Sequence, residues 1–258
     1  MISNYKKYLI ILSLCSPLLI ASTIENQSQL VDIAGQQRMF TQRMLKDYSM
    51  IGMNNSFGNP KEDLKEVIAR FDVQLKLLMD HASNDEIKLK LLEEKKLWEP
   101  IKKRFLIEPT LENLEQFQKD IDSLLAVSHE VTTLFAKESD KAQAEIVNLS
   151  GRQRMLSQRM ASLYMLKVWG VEDHEFTTKM SNSMKEFKEA LKVLQSSPLN
   201  TNEINEHLKK VEHSFMFFEI MNRSSTKFIP TLIYKKSNEI LDDMNIVTKA
   251  YVLIESKK

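Results

Sequence analysis

Ile33-Ala-Gly-Gln-Gln-Arg-Met-Phe-Thr-Gln-Arg-Met44 recurs in this chain as Leu149-Ser-Gly-Arg-Gln-Arg-Met-Leu-Ser-Gln-Arg-Met160. Gly35 and Gly151 are 116 residues apart, and a Gly-x-Gln-Arg-Met-x-x-Gln-Arg-Met match at that separation implies two copies of one domain. Only five glycines and six prolines punctuate the 258 residues. The intervals between them carry helical rather than alternating apolar spacing, as in Leu64, Val67, Ile68, Phe71, Leu75 and Leu78. The expected fold is therefore all-α, with four helices in each copy and hence two tandem four-helix bundles.

The first copy should hold helices at about 24–51, 61–81 and 85–107, the third capped by Asp85 and bent at Pro100, and a fourth opened by Pro109. The second should hold 146–169, 174–195, 202–223 and 231–254, the last opened by Pro230. Between Leu111 and Trp169 there is no proline and only Gly151. The last helix of copy one is thus expected to run into the first of copy two as one helix of ~90 Å, making the molecule a rod of stacked bundles. Should that helix break, the polar stretch Lys137-Glu-Ser-Asp-Lys141 is the place.

Lys6 and Lys7 precede the apolar run Tyr8–Ala21, followed by small residues, which reads as a signal peptide over 1–22 with the bundles at 23–139 and 140–258. The run is shorter than the ~20 residues of a membrane-spanning helix; an uncleaved anchor in the inner membrane is the alternative. Cys15, the only cysteine, lies inside it, so the exported chain has no disulfide and no thiolate ligand, which fits a periplasmic protein. The formal charge is +1, with acidic and basic residues interleaved, which speaks against nucleic acid as a partner.

His81, His129, His174, His207 and His213 form no i, i+4 pair, so no metal site is expected. The 14 methionines follow helical spacing and belong to core packing rather than to copper. No nucleophile elbow, phosphate loop or metalloprotease helix is present. The chain is read as a non-enzyme that needs no cofactor.

Within the duplicated segment a mid-helix glycine costs ~1 kcal/mol relative to alanine. Gly35, Arg38 and Gln42, and likewise Gly151, Arg154 and Gln158, stand at i, i+3 and i+7 on one face. A glycine lets a ligand or a second helix approach the backbone, and the planar guanidinium forks suit a small oxyanion, with the glutamines as neutral donors. Arg43 and Arg159 point about 140° away and are expected in ion pairs at the bundle edge. The same glycines also permit close helix packing. A helical adaptor that binds a protein partner, with its arginines snorkelling or paired to carboxylates, is the rival reading.

The segments Ala34–Met44 and Ser150–Met160 resemble the signature of the PilJ-type domain, the N-terminal sensor domain of type IV pilus methyl-accepting transducers. They are also similar to the periplasmic motif of nitrate/nitrite sensor histidine kinases. The resemblance covers essentially the whole exported chain as two copies, and it implies a periplasmic four-helix bundle with the motif on its first helix. It further implies that Gly35 with Arg38, and Gly151 with Arg154, bind an anion such as nitrate or nitrite between equivalent helices of two subunits. The chain ends at Tyr251–Lys258 without a second membrane span, kinase or methyl-accepting region, so it is expected to report to a separate membrane-bound signalling protein. A rod keeps the two motifs apart, and each site then needs a second chain in a homodimer. If the motif helices meet within one chain instead, they form a single pseudo-symmetric site.

Overall fold

A computed structural model describes residue 24 and residues 26–139, 142–223 and 229–255. The proposed signal peptide and Cys15 lie outside these residues. Among them are eight helices and no strand: α1 (Gln27–Gly52), α2 (Pro60–Asp80), α3 (Asp85–Phe105), α4 (Leu114–Glu138), α5 (Ala142–Trp169), α6 (Phe176–Gln195), α7 (Asn202–Arg223) and α8 (Pro230–Glu255). Among the described residues no helix is long and apolar enough to cross a membrane.

Local chemistry fixes most boundaries. The Asn26 side chain accepts from the Gln29 amide at the start of α1, and at α3 it is Asn84, not Asp85, whose side chain accepts from the Ile87 amide. Pro230 opens α8 as expected, but Pro109 opens nothing. The loop after α3 is pinned by Arg104, which donates to Thr110 Oγ1 at 3.1 Å and to the Glu112 carbonyl at 2.7 Å. Asn113 then takes a left-handed conformation, φ 54°, and α4 starts only at Leu114.

The long connecting helix does not exist. α4 ends at Glu138, Ser139 adopts an extended backbone with ψ 149°, and α5 begins at Ala142, so the break falls within the polar stretch 137–141. α5 runs alongside α1 in a parallel pair. Gly35 near the start of α1 faces the Arg154 guanidinium, and Gly52 at its end abuts the Trp169 indole.

Burial explains why the rod loses. Nearly every residue of α1 from Val31 to Met50 is buried, including Gln37, Thr41, Gln42, Lys46, Asp47 and Ser49. α5 likewise buries Gln153, Ser157, Gln158 and Ser162 among its apolar residues. A helix covered on all sides needs neighbours on all sides, and stacking end to end would leave these faces in water. The two four-helix halves therefore sit side by side. α1 and α5 form the largest helix–helix interface, with α2 and α4 covering α1, and α6 and α8 covering α5.

The repeat reaches into the core. Phe71 stacks on Trp98 with centroids 4.2 Å apart, and Phe187 stacks on Phe215 at 4.5 Å. The first pair of equivalents is 116 positions apart and the second 117.

Candidate anion-binding site

The two copies of the duplicated segment meet on the facing sides of α1 and α5. Arginine side chains on a helix lean toward its N-terminus, so Arg38 and Arg154 both reach back to the level of the glycines. A Cβ built on Gly35 would stand 3.6 Å from Arg38 Nη2 and 3.7 Å from Arg154 Nη2. One on Gly151 would stand 3.2 Å from Arg154 Nη2 and 3.5 Å from Arg38 Nη2. Two guanidinium groups from different halves of the chain thus converge on one point, over backbone that carries no side chain.

Each arginine is held by two further residues. Arg38 Nη1 donates to His129 Nδ1 at 2.9 Å, and its Nη2 donates to the Asn148 carbonyl at 3.3 Å. Arg154 Nη1 donates to Asn245 Oδ1 at 3.2 Å, and its Nη2 to Asp32 Oδ1 at 2.5 Å. His129 and Asn245 are equivalents in the repeat, as are Asp32 and Asn148, each pair 116 positions apart. The arrangement has an approximate twofold axis between α1 and α5, broken by chemistry rather than by position.

Electrostatics leave the site short of negative charge. Arg38 is fully buried and Arg154 is 2% exposed, yet among the described residues Asp32 is the only carboxylate in contact with either. Among the described residues no hydrogen-bond acceptor meets the buried Nε of either arginine. Burial, then the facing Arg154, then Arg152 pull Arg38 down to a pKa of about 9. Two guanidiniums against one carboxylate leave one excess positive charge, which a single monovalent anion between them would balance.

The remaining motif residues divide by face. Gln37 and Gln153 donate to the Phe71 and Phe187 carbonyls at 3.2 and 2.9 Å, tying each motif helix to the next helix. Gln42 spends its amide on Thr41 Oγ1 and accepts from Ser162 Oγ across the α1/α5 interface. Gln158 donates to the Ser237 carbonyl on α8. Arg43 and Arg159 point outward to ion pairs, with Asp63 at 2.5 Å and Asp122 at 2.8 Å.

Asp32, His129, Asn148 and Asn245 escaped the sequence reading. The signal for them was present, because carrying the 116-residue register beyond the motif pairs these positions and also Thr132 with Thr248.

Against known families, the model of the PilJ family, described as the N-terminal region of type IV pili methyl-accepting chemotaxis transducers, matches residues 19–129 and 135–216. Both duplicated segments lie within the match. No curated protein and no solved structure matches the chain.

Proposed function

This chain belongs to the PilJ family, and from that premise we propose that it is a periplasmic sensing module that holds one small monovalent oxyanion, nitrate or nitrite, between α1 and α5 and reports its presence to a separate signalling protein. The observation that carries the reading is the convergence of Arg38 and Arg154 over Gly35 and Gly151, with Asp32 as a counter-charge on Arg154 alone. Gly35, Arg38, Gly151 and Arg154 are the binding residues. Gln42 and Gln158 keep the helices in place, because their amide donors are used within the bundle. A second subunit is not required to complete the site, since the chain supplies both motif helices itself.

The glycines favour this reading over an adaptor. At Gly52 the Trp169 indole of the opposite helix occupies the space a side chain would need. At Gly35 and Gly151 the neighbours are mainly guanidinium nitrogens, groups that interact with an anion far better than with a helix backbone.

Thermal unfolding tests the proposal. Ligand binding to the folded state stabilises by RT ln(1 + [L]/Kd), so nitrate raises Tm more than chloride at equal ionic strength. Arg38→Ala and Arg154→Ala each abolish the nitrate-specific increment, because losing one charged hydrogen-bonding partner typically costs about 2–5 kcal/mol of binding. Equal shifts in the two salts, or an increment that survives in the double variant, would reject the site.

A further inference from the structure

A groove of about 390 Å³ opens between α4, α5 and α6. His129 is exposed on its wall, while Arg38 behind it is fully buried. Arg38 Nη1 donates to His129 Nδ1, and only a neutral imidazole with its proton on Nε2 can accept there, since both ring nitrogens of the cation are donors. At the equivalent place in the other half, Asn245 Oδ1 accepts from Arg154 Nη1. An amide makes the same bond but does not titrate near neutral pH. The two halves therefore build one hydrogen bond twice, and only one version contains a proton switch.

We propose that His129 couples anion binding to proton uptake, so that the site takes up its anion together with one proton. The inference rests on the anion reading above and adds regulation to it. The charged groups that bear on the ring are Arg38 on α1, Arg152 on α5, Glu186 on α6 and Glu130 on α4 itself. Arg152 and Glu186 are paired with each other at 2.8 Å, which leaves Arg38 as the dominant unbalanced neighbour. Partial desolvation of the ring where it lies against Arg38, then the Arg38 charge, then Arg152 hold the imidazole below its ordinary value in the free protein.

An anion between the guanidiniums offsets the charge on Arg38 and offers Nη1 another acceptor. The imidazole is then free to take a proton and turn into the groove. Because the bound state holds more protons than the free state, affinity rises as pH falls through the window between the two His129 values, which begins below the ordinary histidine range. The coupling is reciprocal: nitrate must raise the His129 pKa by the same factor that protons raise nitrate affinity.

Calorimetric titration of the full chain with sodium nitrate at pH 5.5 and pH 8 tests this. The wild type is expected to bind roughly three- to tenfold more tightly at pH 5.5, the upper limit being tenfold per pH unit for one coupled proton. His129→Asn, which copies the residue of the other half, is expected to show the same Kd at both pH values. Asn245→His, which installs a second switch, is expected to steepen the dependence. A wild-type Kd that is equal at both pH values, or a pH dependence that persists in His129→Asn, would overturn the proton coupling while leaving the anion site intact. No nitrate binding by the wild type at either pH would overturn the anion reading, and the coupling with it.

Discussion

Arg38 rests against an imidazole on α4 and a backbone carbonyl on α5, whereas its counterpart Arg154 rests against an amide on α8 and a carboxylate on α1. The positions match to the residue and the charges do not. A homodimer built on this plan would place the same groups on both sides of its axis. Duplication within one chain removes that constraint, and here each half has been able to change separately. One side carries Asp32 where the other has Asn148, and one carries His129 where the other has Asn245. The result is a site with twofold geometry and a one-sided charge distribution, suited to one singly charged ligand.

The same divergence runs through the core. Glu94 on α3 is fully buried, its Oε1 accepting from Ser128 Oγ at 2.5 Å and its Oε2 without a partner among the described residues. Counterparts in the second half are apolar: Val211 stands 117 positions after Glu94, and Met244 stands 116 after Ser128. Likewise Lys46 and Asp47 are both buried in α1, with Lys46 Nζ over the Tyr234 ring and donating to Asn238 Oδ1 of α8, while α5 has Ser162 and Leu163 in their place. Burial lowers Lys46 to a pKa of about 8 and raises Asp47 well above its ordinary range. Among the described residues the buried lysine, aspartate and glutamate all belong to the first half, whereas both halves bury serines, threonines and glutamines.

Converting residues of one half toward the other exposes these differences. The largest effect is expected at Glu94, which burial raises to a pKa of about 7 against 4.5 when exposed. The folded state then binds more protons than the unfolded state, so stability falls as pH rises from about 4.5 to 7. Glu94→Gln removes that slope. In urea unfolding the variant should match wild type at pH 4 and exceed it by up to about 3 kcal/mol at pH 8; a parallel pH profile for the two proteins would show that Glu94 does not titrate on unfolding.

A smaller effect is expected at Asp32. Asp32→Asn makes the two sides alike and leaves Arg154 without its carboxylate, at a cost of about 2 kcal/mol in nitrate-free buffer, discounted because the Asp32 side chain is 21% exposed. With two unbalanced guanidiniums, the variant should gain more from nitrate than wild type does. If melting in nitrate shows a smaller gain, Asp32 helps to hold the anion rather than competing with it.

Much of this was readable from the residues, and the failures have physical causes. α1 was expected at 24–51 and spans Gln27–Gly52; α7 was expected at 202–223 and is Asn202–Arg223. Helical periodicity and punctuation suffice for such elements. The break at Ser139 was invisible to those signals because no glycine or proline makes it. It is imposed by the gain from laying α5 against α1, which buries polar residues such as Gln37, Lys46, Asp47 and Gln153 whose type gives no sign of it; the cue in the sequence was the polar stretch 137–141. Pro109 misled because its loop is held by Arg104, a loop-closing side-chain contact that helical periodicity and punctuation do not encode. At the site, glycine and arginine could be picked out as a face of one helix. The glutamines share that face one turn on, yet the Gln158 amide donates to the Ser237 carbonyl of α8, a neighbour that only the packed bundle supplies, and the Gln42 amide turns to Thr41 on its own helix. His129, Asn245, Asp32 and Asn148 needed the repeat register, not the motif.

The central claim is that one chain, alone, assembles one anion site from its two halves. Its most direct test combines nitrate titration with sedimentation at the same protein concentration. The account predicts one nitrate bound per chain by a monomer, with a Kd that does not change when the protein is diluted. Binding of one nitrate per two chains, appearing only as the protein dimerises, would contradict it.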